Sequence, residues 1–103
     1  MEQQTSKQFY FIIHDSTDPI HVARKPSVLD EHVAYLRTIK AKSHIQSVSV
    51  IKDKNGNTVG SILLCSADSK KHLKNLIEND PFVKDGIWDI NTLVVHEVLL
   101  INI

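Results

Sequence analysis

The sequence contains little that would fix its structure by crosslinking or attract a highly charged partner. Cys65 is its only cysteine, so no disulfide can form within the chain. The 12 lysines and arginines equal the 12 aspartates and glutamates, and this balance lacks the excess positive charge of nucleic-acid-binding domains. No apolar stretch reaches the roughly 18 residues of a transmembrane helix. These absences exclude a disulfide-rich scaffold and argue against nucleic-acid and membrane partners.

What remains is the composition of an ordinary packed domain. Of the 103 residues, 42% are hydrophobic, and only three are glycine and three are proline. This composition predicts one domain over residues 1–103, with residues 1–7 as a flexible polar tail. The tail has no hydrophobic segment of signal-peptide length, and the lone cysteine fits a reducing compartment. We therefore expect a cytoplasmic protein.

Hydrophobic periodicity and turn signals predict the element order βαββαβ. The predicted strands are Gln8–His14, His44–Lys52, Val59–Ala67 and Leu93–Ile101, and the predicted helices are Ser27–Lys42 and a second one from Ser69 to about Asn79. Asp15–Lys25 is expected to be a loop, and Phe82–Asp89 a turn-rich connection. The Asn55-Gly56 pair predicts a hairpin between the second and third strands. The simplest packing of this order is a ferredoxin-like α+β fold, with a four-stranded antiparallel sheet and both helices on one face.

The last predicted strand is apolar on both of its faces. Val94, Val98 and Leu100 lie on one face of the strand together with His96, and the residues on the other face are also largely apolar. Because two helices can cover only one face of the sheet, the other face would expose a large apolar surface to water. We therefore expect a homodimer that covers this surface.

The first predicted helix carries one polar residue on its apolar stripe. Val28 and Leu36 lie one turn before and after His32, and Val33 and Ile39 extend the stripe. Ser27 and Asp30 form a weak capping box, which would place the helix start near Ser27 and His32 in the second turn. A histidine in this setting is either a core residue satisfied by a hydrogen bond or a group with a chemical role.

Asp80 supplies a carboxylate at the end of the second helix, aimed along that helix's apolar face. A histidine and a carboxylate that converge between two helices can act as a general base and its orienting group. The alternatives are that Asp80 only caps local amides before Pro81, or that it pairs with His32 for structural reasons. The residues alone do not decide among these roles.

Several segments together resemble the YCII (YciI-like) family. They are Glu78-Asn79-Asp80-Pro81-Phe82-Val83, Gly86-Ile87-Trp88, His32-Val33-Ala34-Tyr35-Leu36 and Gly56-Asn57-Thr58-Val59-Gly60-Ser61. The resemblance covers about Phe9 to Val98. It implies a ferredoxin-like domain that dimerises into an α/β barrel, with an active-site His and Asp pair at His32 and Asp80. One branch of the family removes chloride from chlorinated trihydroxybenzenes, which implies a small cyclic or aromatic substrate.

Two departures from the family pattern affect the candidate substrate-binding residues. Arg24, Lys25 and Pro26 lie farther upstream of the helix histidine than the family's Arg-Pro pair, and Arg24 is the candidate anion-binding residue. A Gly-Pro pair common in the second strand is absent, and Ser47 stands in that neighbourhood. Phe82 and Trp88 are candidates for an apolar wall of the site, or else packing residues.

The sequence also bears on cofactors and on the class of protein. Its histidines and cysteine match no zinc-binding pattern, and it has no glycine-rich phosphate loop, so we expect neither metal nor cofactor. The leading hypothesis is a cofactor-free lyase or isomerase in which His32 moves a proton on an enolic, phenolic or lactone substrate. The alternatives are a non-catalytic dimeric module that binds a small ligand or a protein, and, by analogy of fold, haem binding through a histidine.

Overall fold

The computed structural model describes residues 6–103, which form a four-stranded antiparallel sheet with helices packed on one face. The strands are β1 (Lys7–Asp15), β2 (Ile45–Lys52), β3 (Thr58–Ala67) and β4 (Trp88–Val98), and the helices are α1 (Pro19–Ala41), α2 (Lys70–Glu78) and α3 (Pro81–Lys84). The strand order is β2-β3-β1-β4. The predicted ferredoxin-like α+β fold is confirmed, with α3 as an added short helix.

Helix α1 begins eight residues before the predicted start at Ser27. Asp18 is its N-cap and accepts a hydrogen bond from the backbone N–H of Ile20, and Pro19 occupies the first turn. Ser27 does not cap the helix, because its hydroxyl donates to the carbonyl of Arg24 at 2.6 Å. The predicted loop over Asp15–Lys25 is therefore mostly helical, and His32 lies in the fourth turn of α1, not the second.

The C-terminal elements also differ from the prediction. Pro81–Lys84 forms α3 inside the segment expected to be a turn, and β4 starts at Trp88 instead of Leu93. β4 ends at Val98 because its pairing with β1 ends at Gln8 opposite Val98. At the other terminus, Lys7, predicted to be the last residue of the tail, is the first residue of β1 and pairs with β3, whereas residues 1–5 of the predicted tail lie outside the described residues.

The core lies between the helices and one face of the sheet. Alternate residues of β1, namely Phe9, Phe11 and Ile13, are almost fully buried there, and their neighbours on β3 include Leu63 and Cys65. Val28 and Ile39 of α1 and Leu73 and Ile77 of α2 complete this layer. Burial raises the pKa of the Cys65 thiol to about 12, so it remains a neutral packing group.

The opposite face of the sheet has no helix against it. Tyr10 and Val94 point to this face and are 36% and 44% exposed. Ile12 pairs with Val94 across β1 and β4, and Ile62 pairs with Ile12 across β3 and β1, so these side chains form one apolar surface. We call this surface, which comprises Tyr10, Ile12, Ile62 and Val94, the open sheet face.

Candidate functional site

His32 and Asp80 are in direct contact in the core. Nδ1 of His32 lies 2.7 Å from Oδ1 and 3.0 Å from Oδ2 of the Asp80 carboxylate. An ionised carboxylate can only accept, so Nδ1 carries the proton and donates it. This bond fixes the orientation of the imidazole ring and leaves Nε2 as the second ring nitrogen.

Backbone features place the two groups opposite each other. His32 lies on the buried stripe of α1, between Val28 and Ile39. Asp80 is the N-cap of α3, where Oδ1 accepts from the backbone N–H of Phe82 at 2.8 Å. The same oxygen receives the histidine proton, so the start of α3 and the orientation of His32 depend on one carboxylate.

Two aromatic residues enclose the imidazole ring. Phe82 lies parallel to it, with ring centroids 3.7 Å apart and an interplanar angle of 2°. Trp88 presents its edge at a centroid distance of 4.8 Å. The predicted wall residues Phe82 and Trp88 therefore do lie beside His32, and both are nearly fully buried.

The pair is buried, yet one nitrogen remains accessible. His32 is 7% exposed and Asp80 only 2%. Within residues 6–103, every fully buried side-chain nitrogen or oxygen has a hydrogen-bond partner. Nε2 of His32 has no such partner among these residues, and the residual exposure of the ring must therefore include this atom. Nε2 is therefore the nitrogen of the ring that is free to form a hydrogen bond outside the pair.

The interior next to Asp80 is closed to a substrate. A cavity lined by Tyr35, Leu36 and Asp80, among others, measures only about 10 Å³, which is near the lower limit for one water molecule. The Tyr35 hydroxyl donates to the carbonyl of Leu76 at 2.6 Å. Burial, and secondly the nearby Asp80 carboxylate, raise the pKa of Tyr35, so this phenol stays protonated and structural.

The structure does not bring the other two candidate residues to the pair. Arg24 lies on α1 with its guanidinium 3.4 Å from the Asp85 carboxylate, and its side chain is 51% exposed. Ser47 is exposed on β2 and pairs with Leu64, which places it on the sheet face opposite the helices. Neither residue contacts His32 or Asp80 in the described part of a single chain.

A second polar arrangement, which sequence reasoning does not single out, lies near the N-terminal end of α1. Nζ of Lys25 is 2.6 Å from Oδ2 of Asp15 and 3.2 Å from the hydroxyl of Thr58. Lys25 precedes His32 by seven residues and so shares its helix face. This seven-residue spacing could have identified Lys25 as a candidate site residue if the predicted helix had started upstream of Ser27.

The structure also bears on metal binding and membrane insertion. Over residues 6–103, no three side chains of the His, Cys, Asp and Glu types come close enough together to hold a metal ion. None of the helices in that range combines the length and apolar composition needed to cross a membrane.

The fold and the buried pair define a ferredoxin-like α+β protein with a His and Asp contact between its helices. The model of the YCII-related domain matches residues 9–95, and the chain belongs to this family. Comparison with the curated proteins gives no match. Among solved structures, the chain is similar to 5-chloro-2-hydroxyhydroquinone dehydrochlorinase from Burkholderia phenoliruptrix AC1100, determined in complex with 2,5-dihydroxybenzoquinone. The two are 25% identical, with 85% of this chain and 90% of that chain covered and a TM-score of 0.65.

Proposed function

We propose that this protein is a small-molecule lyase or isomerase in which His32 transfers a proton through Nε2. The observation that carries the proposal is the bond of Nδ1 to both oxygens of Asp80, at 2.7 and 3.0 Å, with Nε2 left accessible. In this arrangement Asp80 orients the ring and stabilises the imidazolium ion that forms when Nε2 takes up a proton.

The chemistry requires only the movement of one proton within the substrate or away from it. Nε2 removes a proton from the substrate, and in an isomerisation the same proton returns to another substrate atom. In an elimination, a leaving group departs with its bonding electrons as the proton is taken. A positioned base of this kind contributes about 10²–10⁴ in rate, which is sufficient for an activated substrate.

We infer that the substrate is a small hydroxylated ring. Support comes from the similar solved structure, a dehydrochlorinase of a hydroxyhydroquinone determined in complex with 2,5-dihydroxybenzoquinone. Phe82 and Trp88 pack against the imidazole and are nearly fully buried, so in this proposal they hold the His32 ring in position. We place this enzyme in the cytoplasm, where the free thiol of Cys65 would remain reduced.

We further propose that two copies pair through the open sheet face. Tyr10 and Val94 leave apolar surface in water on this face, and a second copy would remove it. Pairing of this type would produce the barrel-like dimer expected from the family resemblance.

A non-catalytic ligand-binding role is the second candidate, and one observation favours it. Only 7% of His32 and 2% of Asp80 are exposed, which is also what a structural ion pair would show. In that case the two residues would hold α1 against α3, and no substrate would be turned over.

Chloride release from 5-chloro-2-hydroxyhydroquinone under anaerobic conditions tests the elimination reaction of the proposed enzyme against the binding module. We expect release by the native protein, and loss of at least 10² in kcat/KM in His32→Asn. His44→Asn is the matched control, because His44 also bonds through Nδ1, to the carbonyl of Ser66, but lies outside the pair. Equal rates in the two variants would rule out His32 as the base.

A further inference from the structure

A cleft of about 640 Å³ opens between the end of β1, the first turns of α1 and the turn that joins β2 to β3. Small-molecule sites typically measure about 300–1,000 Å³. Asp15, Lys25 and Thr58 form its polar centre, and none of them takes part in the contacts of His32 with Asp80. The cleft therefore has the size and the polar groups of a ligand site.

The Lys25–Asp15 pair has hydrogen-bonding capacity left over. An ammonium group has three protons, and Lys25 directs two of them at Asp15 and Thr58, which leaves one. Oδ1 of Asp15 has no hydrogen-bond partner in the described part of the chain. Since fully buried polar atoms there are all paired, Oδ1 must be accessible. The pair thus offers one donor and one acceptor side by side.

The charges of the cleft select what can bind there. Asp15 already neutralises Lys25 at 2.6 Å, so a ligand carboxylate would meet a second carboxylate at close range. Asp53, also on the wall, adds another negative charge; its Oδ1 accepts from the backbone N–H groups of Asn55 and Asn57, and its Oδ2 accepts from the side-chain amide of Asn57. A hydroxyl group both donates and accepts a hydrogen bond, so it can pair with the free Lys25 proton and with Oδ1 of Asp15, and it carries no charge for the carboxylates to repel.

The cleft lies close to the buried pair but is separate from it. Lys25 and His32 lie on one face of α1 about 10.5 Å apart along the axis, with buried Val28 between them. Asp15 is directly opposite Trp88 in the β1 and β4 ladder, and Trp88 contacts the His32 ring. The wall of the cleft and the wall of the His32 site are therefore neighbouring residues.

We infer that the Lys25–Asp15 pair is a binding site of its own, beside the His32 pair, that takes an uncharged hydroxyl group of a small ligand and discriminates against carboxylates. This inference goes beyond the proposed function and does not depend on turnover at His32, because neither His32 nor Asp80 lines the cleft.

Binding of two simple probes, hydroquinone and benzoate, tests the inference by NMR titration of the full chain. We expect hydroquinone to shift the backbone amide signals of Asp15 and Thr58 and to bind at least about tenfold more tightly than benzoate. Lys25→Met should weaken hydroquinone binding about tenfold, whereas Arg24→Met, the adjacent control, should not change it. Absence of these shifts in the native protein, or equal loss in the two variants, would overturn the assignment.

Asp15→Asn provides a test that does not depend on removing the lysine. The variant leaves Lys25 without its counter-ion, so benzoate should gain affinity and the preference for hydroquinone should be lost or reversed. An unchanged preference would contradict the charge argument. His32→Ala separates this inference from the proposed function: hydroquinone should still bind at the cleft while chloride release is lost. If the native protein binds hydroquinone there but releases no chloride from 5-chloro-2-hydroxyhydroquinone, the binding site stands and the elimination reaction of the proposed function fails.

Discussion

A single oxygen of Asp80 joins the side chain of His32 to the backbone of Phe82. Oδ1 lies 2.7 Å from Nδ1 of His32 and 2.8 Å from the amide nitrogen of Phe82. The N-cap of α3 and the orienting group of the imidazole are therefore the same carboxylate. Substitutions at this position can separate its structural role from its chemical role.

Asp80→Asn should retain the cap but lose the charge. The asparagine oxygen can still accept from the Phe82 amide, so the free energy of unfolding should fall by less than about 2 kcal/mol. The neutral amide cannot stabilise the imidazolium ion, and kcat/KM should fall by at least 10². Denaturant unfolding and the chloride-release assay measure the two effects. Asp80→Ala is the comparison: it loses both roles, and a stability equal to that of Asp80→Asn would show that the cap contributes nothing.

Gly86→Ala should destabilise the protein more than Gly56→Ala. Both glycines have left-handed φ angles, +74° and +84°, so each substitution costs about 1 kcal/mol in backbone strain. A Cβ on Gly86 would also lie 2.8 Å from Nε2 of His21, whereas one on Gly56 would meet nothing within 4 Å. Thermal unfolding of both variants measures the difference. In a His21→Ala background, which already lacks the hydrogen bond between His21 and Ser16, Gly86→Ala should cost no more than Gly56→Ala, and an unchanged cost would place the strain elsewhere.

Val94→Asp should convert the proposed dimer to a monomer. Val94 is 44% exposed on the open sheet face, and a carboxylate there would be buried without a partner in the dimer. Val48→Asp is the matched control, because Val48 is 49% exposed but pairs with Leu63 and so lies on the other face, at the sheet edge. Sedimentation velocity measures the mass of each. A native protein that sediments as a monomer at micromolar concentration would contradict the proposed pairing.

Stability should decline with alkaline pH above about 9. The unfolded chain loses the Cys65 proton near the ordinary thiol pKa of 9.0, while the folded chain retains it until about 12. Between these values the folded state binds more protons than the unfolded state, so the free energy of unfolding falls with rising pH, by up to about 1.4 kcal/mol per pH unit for one group. Denaturant unfolding at pH 8 to 11 measures the slope. Cys65→Ala should flatten it, and an identical slope would assign the effect to other groups, of which Tyr35 is one.

Two errors of the sequence-based prediction share a physical cause. Helices α1 and α3 both begin at an Asp-Pro pair, Asp18-Pro19 and Asp80-Pro81, in which the aspartate caps and the proline fits the first turn. Hydrophobic periodicity missed the start of α1 because Ile20 is 69% exposed and contributes to no buried stripe. In the other case, Pro81 correctly ended α2 but was not recognised as the start of α3.

The contact between His32 and Asp80 was predictable. His32 interrupts the apolar face of the first predicted helix, Asp80 extends the apolar face of the second, and the two faces were expected to pack together. The residues around this pair were less predictable. The positions of Arg24 and Ser47 depend on where α1 begins and on the bulge in β2 between Ile45 and Ser47, which no local pattern indicates. The Lys25–Asp15 pair likewise depends on the three-dimensional meeting of β1, α1 and the β2–β3 turn.

The state of the His32 ring nitrogens during ligand binding tests the central claim most directly. Long-range ¹H–¹⁵N NMR spectra distinguish Nδ1 from Nε2, and they can be recorded while 2,5-dihydroxybenzoquinone is added. We expect the Nε2 signal of His32 to shift on binding while Nδ1 retains its proton and its bond to Asp80. Saturable binding that leaves the Nε2 signal unchanged would contradict the account, because the ligand would then bind without reaching the proposed base.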